Sequence, residues 1–373
     1  MFASVKDPFP GANKSLAVQV TCSNSLPETI APPLPTNGPP AENLNIRYFS
    51  WYSYTGCQMP GCQRNMSASA GTAYRNLAMD GDLAYLSKTY EQFSVPGMLY
   101  LQNSINGCNH TRVYDYSPAK NGLAPGWEAA VDDCIKTLIP LAKGNGGHIH
   151  GVQLGDELVL GSIPRFSVAN LTALAARFHD ALSPHDVFIF TNEGGGVEVP
   201  SWPEIPAGLD HISIDMYGSG ACEAASAQVI YERIFALLKP HQSVWIVPGL
   251  FGAPNVTAMA ENDESLVEKL SAYFAWADAE PRITGVIPWH WYDLGAPPNR
   301  PYGGPPRLRL GADSFPKTLA WIADKVGQLA PLPPPPGRKA QFSCVLDAGR
   351  PTCMQSAPGF SGMPLGDCEA KCK

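Results

Sequence analysis

The sequence predicts an α/β protein whose main part is a (β/α)8 TIM barrel, with an N-terminal extension and a small disulfide-rich C-terminal segment. Short β-branched or aromatic runs alternate with longer amphipathic stretches from residue 42 to residue 329, a pattern typical of βα units and a parallel sheet. Eight such runs fit within this length, as a barrel of this kind requires. The alternative is an open doubly wound sheet, but no strand is followed by the Gly-x-Gly-x-x-Gly turn typical of its phosphate sites.

The predicted strands and helices follow one another along this region. The strands are expected at 45–53, 74–79, 96–102, 148–154, 186–191, 211–216, 243–248 and 284–288. The helices are expected at 82–93, 127–143, 167–182, 224–239, 264–279 and 314–329. The second strand is short and also compatible with a helix, and the helical patterns after the first and fifth strands are weak.

The composition divides the chain into four parts. Residues 1–41 are rich in Pro, Ser and Asn and are predicted to form an extension that lies across the barrel of residues 42–329. Residues 330–340 contain the run PLPPPPG, which is typical of a stiff linker. Residues 341–373 have too few apolar residues for a core, so this module is expected to depend on disulfides. Their pairing is open among Cys344, Cys353, Cys368 and Cys372. The module is either a spacer or a small carbohydrate-binding or anchoring unit.

The charge of the chain excludes several kinds of partner. The formal net charge is −7 and the Lys and Arg residues do not cluster, which argues against a nucleic acid or an anionic membrane as partner. No run of about 18 apolar residues is present, so no membrane span is expected. A neutral or weakly charged substrate suits this surface better. We expect a monomer that uses no cofactor.

Cysteine and asparagine patterns predict a secreted protein. The ten cysteines match no zinc-binding spacing and are better explained as disulfides, which form in an oxidising compartment. Five Asn-x-Ser/Thr sequons favour the same interpretation: Asn13, Asn65, Asn109, Asn170 and Asn255. The first residues, MFASVKDPFPG, lack the apolar stretch of a signal peptide, which is consistent with a mature N-terminus.

The predicted fourth strand carries the strongest signal for catalysis. It runs directly into Gly155, Asp156 and Glu157, so two adjacent carboxylates stand at the carboxyl end of the strand, where barrel active sites lie. Adjacent acids repel each other, so at least one pKa should rise, and a raised pKa suits a general acid near neutral pH. The alternative is that one or both acids only cap the next segment or bind an Arg side chain.

The fifth and sixth strands supply candidate partners for these acids. Asp215 and Tyr217 end the sixth strand, and a spacing of two puts both side chains on one face. Asn192 and Glu193 end the fifth strand, before three glycines. Glu193 is the alternative to Asp215 as second catalytic carboxylate. For Asp215 the alternative is a buried acid that holds a neighbouring strand.

Aromatic residues at two strand ends predict sugar binding. Indole faces stack on the CH face of pyranose rings, and Tyr and Asp side chains hydrogen-bond sugar hydroxyls. The residues concerned are Trp51 and Tyr52 in the first strand, and Trp289, His290, Trp291, Tyr292 and Asp293 after the eighth. No metal site is predicted, because the cysteine spacing lacks a His partner and His148 and His150 lie at the opposite end of the barrel.

Three strand ends resemble known glycosidases. The sequence LGDEL resembles the Gly-Asp-Glu signature of substrate-assisted β-N-acetylhexosaminidases, IDMYG is similar to the Met-x-Tyr-Asp strand of chitinase-type barrels, and GVIPWHWYD resembles the last strand of both groups. The resemblance implies Glu157 as general acid/base and Asp156 as the acid that orients the substrate's 2-acetamido group. It also implies Tyr217 as hydrogen-bond partner of that group, with Trp289 or Trp291 as the floor of the subsite.

The sequence also departs from these families. Val152 and Leu154 occupy positions where the chitinase Asp-x-x-Asp-x-Asp-x-Glu run has acids. The seventh strand, VWIVPGLFG, ends without a carboxylate, unlike the large clan of retaining enzymes that pairs glutamates on strands four and seven.

These observations together predict a secreted glycoside hydrolase that cleaves β-glycosidic bonds of an oligo- or polysaccharide, with Glu157 as proton donor. One alternative is a two-carboxylate, glucanase-like barrel of a distinct family. Another is a non-catalytic carbohydrate-binding barrel, and a third is a metal-dependent hydrolase that uses His290, Asp215 and Asp293. The separation of the carboxyls distinguishes retaining pairs, at about 5 Å, from inverting pairs, at roughly 6.5–9.5 Å.

Overall fold

The computed structural model of the chain describes residues 45–52, 75–104, 108–117, 122–159, 166–194, 202–215, 217, 220–251, 261–289 and 315–329. It also gives the backbone of four short strands, Ser4–Val5, Ala17–Val18, Phe342–Asp347 and Arg350–Gln355.

The centre of the fold is a parallel sheet of eight strands. They are β1 (Tyr48–Phe49), β2 (Ala78–Asp80), β3 (Gly97–Tyr100), β4 (Ile149–Asp156), β5 (Phe188–Gly194), β6 (His211–Asp215), β7 (Ser243–Val247) and β8 (Ile283–Val286). The order across the sheet is β1-β8-β7-β6-β5-β4-β3-β2, so each strand from β2 to β7 pairs with the next one along the chain, and β8 pairs with β1. All these pairs are parallel, which puts the carboxyl ends of the strands at one edge.

The sheet is curled, because its two outermost strands approach each other. The backbone N–H groups of Asn76 and Leu77, just before β2, donate to the carbonyl of Phe49 in β1 at 3.1 and 3.3 Å. The Asn76 side chain adds two bonds: its Oδ1 accepts from the Phe49 N–H at 2.7 Å, and its Nδ2 donates to the Arg47 carbonyl at 2.8 Å. One asparagine therefore connects β1 to the chain that enters β2.

Helices lie between most of the strands. They are α1 (Leu83–Phe93), α2 (His110–Val113), α3 (Trp127–Leu138), α4 (Val168–Leu182), α5 (Gly220–Phe235), α6 (Asp263–Ala279) and α7 (Pro316–Gln328). Polar caps start four of them: Asp82 accepts from the Ala84 N–H, Asn109 from the Thr111 N–H and Ser167 from the Asn170 N–H, while Asn262 forms a capping box with Ser265.

Buried side chains form two layers, one on each side of the sheet. The outer layer packs the sheet against the helices, with residues such as Leu86, Phe178 and Tyr273. The inner layer fills the curl and contains Tyr52, Leu77, Met79, Met98, Tyr100, Phe190, Trp245, Val247 and Ile287. Trp245 is 0% exposed, and a Cβ at Gly285 would lie 2.6 Å from its indole ring, so a glycine is needed opposite it. Side chains thus fill the inside of the sheet, as in (β/α)8 proteins.

The predicted strands are all found, with shifted bounds. The strand expected at 45–53 shortens to β1, and the one expected at 74–79 lies at Ala78–Asp80. The helix expected at 127–143 ends at Leu138, because Pro140 has no N–H to continue it and 3-10 turns follow. The helix expected at 224–239 starts at Gly220 and ends at Phe235. Helix α2 was not predicted, and residues 202–210 after β5 hold no helix.

Two antiparallel hairpins lie outside the sheet. Ser4–Val5 pairs with Ala17–Val18, and Phe342–Asp347 pairs with Arg350–Gln355 in a register that sets Cys344 opposite Cys353. The predicted disulfides of this C-terminal part lie outside the described side chains. Cys108 and Cys134 form a disulfide that joins the loop after β3 to α3. None of the helices within the described ranges is long and apolar enough to cross a membrane.

Candidate active site

A β-bulge near the carboxyl end of β4 places Asp156. Gln153 of β4 pairs with Phe190 of β5, but Asp156 pairs with Asn192, so β4 has one residue more than its partner over this interval. The bulged backbone is hydrogen-bonded: the Leu154 carbonyl accepts from the Tyr114 hydroxyl at 2.6 Å. Bulges of this kind re-aim side chains next to active sites.

Two glutamines support the same strand end. The Asp156 N–H donates to Gln102 Oε1 at 2.7 Å. Gln153 donates through Nε2 to the Tyr52 hydroxyl at 3.1 Å and to the Gly155 carbonyl at 3.3 Å. Neither glutamine was among the predicted site residues, although Gln102 stands at the end of the predicted third strand. A polar side chain at a strand end is the sequence signal that could have identified Gln102.

Asn192 joins two of the predicted catalytic acids. Its Nδ2 donates to Asp156 Oδ1 and to Asp215 Oδ1, each at 2.7 Å. The two acceptor oxygens are therefore at most 5.4 Å apart, twice that distance. The Oδ1 of Asn192 accepts from the Ser213 hydroxyl at 2.5 Å, which fixes the orientation of the amide. The structure thus brings Asp156, Asp215 and Asn192 together.

The charges around Asp215 favour its neutral form. Burial of the carboxyl raises the pKa of Asp215 well above its usual value, and the charges of Asp156 and Glu157 raise it further. Hydrogen bonds from Asn192 and Tyr217 act in the opposite direction, because they stabilise the carboxylate. Two acids that share one amide donor at this separation do not both ionise readily, so the pair retains a proton to higher pH than an isolated aspartate does.

Glu157 directly follows Asp156 in the chain and has an unusual backbone conformation. Its φ is +52°, in the left-handed region that residues other than glycine seldom adopt. The conformation is held by a hydrogen bond from the Glu157 N–H to the Asn192 carbonyl at 2.8 Å. Such conformations cluster at functional sites. Asp156, Glu157 and Asp215 each keep partial exposure as whole residues, although the Asp215 carboxyl itself is buried.

Glu193 does not join the other acids. Its side chain leaves β5 on the face opposite Asn192, and the residue is 1% exposed. Its Oε2 accepts from the Val159 N–H at 3.1 Å, and its Oε1 accepts a long hydrogen bond from the Thr191 hydroxyl at 3.5 Å. Glu193 therefore supports the backbone that follows Glu157.

An aromatic group lies beside the acids. Tyr217 stacks on Trp289 with ring centroids 5.2 Å apart and an interplanar angle of 28°. Phe251 packs edge-on against Trp289 at 5.0 Å and against Tyr217 at 5.6 Å. Tyr217 also hydrogen-bonds to Asp215. The stack therefore connects the end of β8 to the acid pair.

Tyr52 and Trp51, the two sugar-binding residues predicted in the first strand, lie in different layers. Burial, followed by the charges of Asp156 and Asp215, raises the pKa of Tyr52 well above its usual value, so its hydroxyl stays protonated near the pair. Trp51 is 1% exposed and packs in the outer layer against Phe49, away from these residues. His290, Trp291, Tyr292 and Asp293 lie outside the described residues.

A buried ion cluster supports the end of β7. Lys269 Nζ contacts Glu223 Oε2, Glu261 Oε1 and the Gly249 carbonyl, each at 2.9 Å. Glu223 Oε1 accepts from the Gly249 N–H at 2.8 Å, so both backbone groups of this glycine are held. A Cβ at Gly249 would lie 2.9 Å from the Tyr217 ring. The sequence signal for this cluster was a lysine within the apolar stripe of α6.

Within the described ranges, no group of three or more His, Cys, Asp and Glu side chains is arranged to hold a metal ion. His148 is engaged elsewhere: its Nε2 lies 3.0 Å from the Ser87 hydroxyl and its ring stacks on Tyr90.

Several solved structures are similar to this chain. A β-1,3-glucanosyltransferase from Rhizomucor miehei has 13% identity and a TM-score of 0.43, over 63% of this chain and 80% of that one. A GH113 β-mannanase from Alicyclobacillus acidocaldarius has 13% identity and a TM-score of 0.45, over 77% of this chain and 98% of that one. Xylanase 10B from Thermotoga maritima has 11% identity and a TM-score of 0.41, over 76% of this chain and 97% of that one. No family model and no curated protein matches the sequence.

Proposed function

We propose that this chain is a glycoside hydrolase that cleaves β-glycosidic bonds of an oligo- or polysaccharide, with Glu157 as general acid/base. The observation that carries the proposal is the pair of Asp156 and Asp215 on one amide of Asn192, next to Glu157. Three carboxyls and an aromatic stack at the carboxyl ends of parallel strands suit the charge changes and ring contacts of glycoside cleavage.

In this proposal Glu157 gives its proton to the oxygen of the leaving sugar as the glycosidic bond breaks. It then takes a proton from the water that completes hydrolysis. Its place beside two further carboxyls, at an open edge of the sheet, supports this role.

The finer mechanism follows from the state of Asp215. A neutral carboxyl is a poor nucleophile, and conditions around Asp215 favour that neutral form. We therefore favour substrate assistance: Asp156 accepts from the N–H of a 2-acetamido group, Tyr217 is a hydrogen-bond partner of that group, and the acetamido oxygen attacks the anomeric carbon. The alternative is a two-carboxylate reaction in which Asp215 or Asp156 takes the second role. The contacts of Glu193 with Val159 make it the weaker candidate.

We also propose that the sheet closes as a complete (β/α)8 barrel, which the Asn76 bonds between β1 and the start of β2 support. Secretion of the chain as a monomeric glycoprotein is likewise a proposal. Its support is the Cys108–Cys134 disulfide and the exposed sequon residue Asn109.

The test is a panel of soluble oligosaccharides, half of them β-linked N-acetylglucosamine polymers and half β-glucans, mannans and xylans without acetamido groups. The wild type, Glu157→Gln and the control Glu91→Gln, an exposed glutamate on α1, are assayed for product release. We expect turnover that falls by about 100-fold or more in Glu157→Gln only. Turnover restricted to N-acetylated substrates supports substrate assistance, and turnover of the others supports two carboxylates. Binding by the wild type without any turnover would instead establish a carbohydrate-binding barrel.

A further inference from the structure

We propose that a cleft around Tyr116 is an additional sugar subsite, where a pyranose ring of a longer oligosaccharide stacks on the Tyr116 ring. The inference rests on the proposed function, because it extends the same binding region away from the acids. It assigns a role to a residue outside the strand ends.

Tyr116 is unusual in its exposure. It is 41% exposed, and among the large hydrophobic residues of the described chain only Val229, at 58%, is also classed as exposed. A single exposed hydrophobic residue is ordinary on a protein surface. What distinguishes Tyr116 is how its ring is held and where it lies.

The Tyr116 ring is held in one orientation. Its hydroxyl donates to the Gln102 carbonyl at 3.3 Å. The ring packs edge-on against His110, with centroids 5.9 Å apart, and against Tyr114, with centroids 6.5 Å apart. A ring that is held by three contacts and remains 41% exposed is prepared to stack on a sugar, because little conformational entropy is lost on binding.

Gln102 connects this ring to the candidate active site. The carbonyl of Gln102 accepts from Tyr116, and its side-chain Oε1 accepts from the Asp156 N–H at 2.7 Å. Gln102 lies in the turn directly after β3, and the Tyr116 hydroxyl contacts its carbonyl, so both groups lie near the carboxyl edge of the sheet. Gln102 thus links the Tyr116 hydroxyl to the backbone of Asp156.

The cleft beside Tyr116 offers groups suited to sugar hydroxyls. It has a volume of about 520 Å³, and Thr111, Arg112 and Asp115 line it together with the ring. This volume falls in the range of small-molecule sites, and a flat aromatic face with a few polar side chains is the usual composition of a pyranose site. The occupant we infer is a neutral pyranose of the same chain that reaches the acids.

The test measures binding as a function of substrate length. Catalytically inactive Glu157→Gln protein, with and without Tyr116→Ala, is titrated calorimetrically with the di-, tetra- and hexasaccharide of the best substrate in the panel. We expect Tyr116→Ala to weaken hexasaccharide binding about tenfold and to leave disaccharide binding unchanged. Tyr116→Phe keeps the ring and should retain most of the affinity. Val229→Ala is the matched control for an exposed apolar residue and should change nothing.

Two results would overturn the subsite. One is unchanged hexasaccharide affinity in Tyr116→Ala; the other is an equal loss at all lengths, which would mean that Tyr116 acts only through Gln102 on the acids. A different result would refute the proposed function. If the wild type binds sugars in a Tyr116-dependent manner but hydrolyses none, catalysis is refuted and the subsite stands.

Discussion

Asp156 and Asp215 accept hydrogen bonds from the same nitrogen, although their strands, β4 and β6, are not neighbours in the sheet. The strand between them supplies Asn192, whose amide spans the gap. An amide has two N–H groups, so it satisfies one oxygen of each acid and leaves their other oxygens for a ligand or for further contacts. The ionisation of Asp215 therefore depends on Asn192.

Replacing Asn192 with Ala should raise the pKa of Asp215. The Asn192 hydrogen bond lowers this pKa in the native protein, so its removal leaves burial and the charges of Asp156 and Glu157 unopposed by that bond. NMR titration of the Asp carboxyl carbons measures the change. Ser213→Ala, which removes only the bond to the amide oxygen, serves as control and should give a smaller shift. A lower Asp215 pKa in Asn192→Ala would contradict this electrostatic account.

Asp215→Asn should stabilise the protein at neutral pH while it reduces activity. The folded-state pKa of Asp215 is raised, so protonation contributes stability that is present below the unfolded pKa, near 3.9, and is lost as pH rises through the folded pKa. The variant should match the wild type at pH 4 and exceed it by about 1 kcal/mol or more at pH 7. Urea unfolding at both pH values measures this difference. Equal stability at pH 7 would show that the site tolerates the ionised acid.

Lys269→Met should be strongly destabilising. Lys269 and its two glutamate partners have side chains no more than 2% exposed. Removal of the lysine leaves two buried carboxylates without a positive charge to balance them. We expect a loss of about 3–5 kcal/mol in the free energy of unfolding. The control is Lys317→Met, which breaks an exposed pair with Glu264 and should leave stability unchanged. Similar effects of the two variants in urea unfolding would refute the role of the cluster.

Gly249→Ala should reduce activity through the aromatic stack. The added methyl would lie 2.9 Å from the Tyr217 ring and 3.0 Å from the Phe251 ring, so at least one ring must move. We expect a stability cost of about 1–3 kcal/mol, a changed near-UV circular dichroism spectrum and a raised KM. Gly327→Ala is the matched control: it lies in α7 with no atom within 4 Å of the new Cβ and should gain up to about 1 kcal/mol. An unaltered spectrum in Gly249→Ala would contradict the packing argument.

Loss of the Cys108–Cys134 disulfide should lower stability through the unfolded state. The bond closes a loop with a sequence separation of 26, which corresponds to about 3.5 kcal/mol of lost chain entropy in the unfolded state. The double variant with Ala at both positions, compared with the wild type in urea, measures it. Because Tyr116 lies inside the closed loop, we also expect weaker hexasaccharide binding in this variant. Stability within about 0.5 kcal/mol of the wild type would argue against this contribution.

The sequence predicted the sheet well because buried parallel strands are continuous apolar runs, as in Asp186–Thr191 and Ser243–Pro248. It predicted Asp156, Glu157 and Asp215 at one edge because strand ends of a parallel sheet converge there. It did not predict the Asn192 bridge, since that depends on the bulge in β4, and a one-residue register change leaves no mark in the residue pattern. Alternation along β5 puts Asn192 inward and Glu193 outward, so the two polar residues at this strand end have different surroundings.

The filled interior of the curled sheet limits the routes by which a ligand can reach the candidate active site. Trp245 stacks on Phe190 at 4.7 Å, and Gly285 leaves no gap beside the indole, so a saccharide cannot pass between the two ends of the sheet. If the chain cleaves saccharides as proposed, substrate reaches Asp156, Glu157 and Asp215 from the carboxyl edge of the sheet, and product leaves from that same edge.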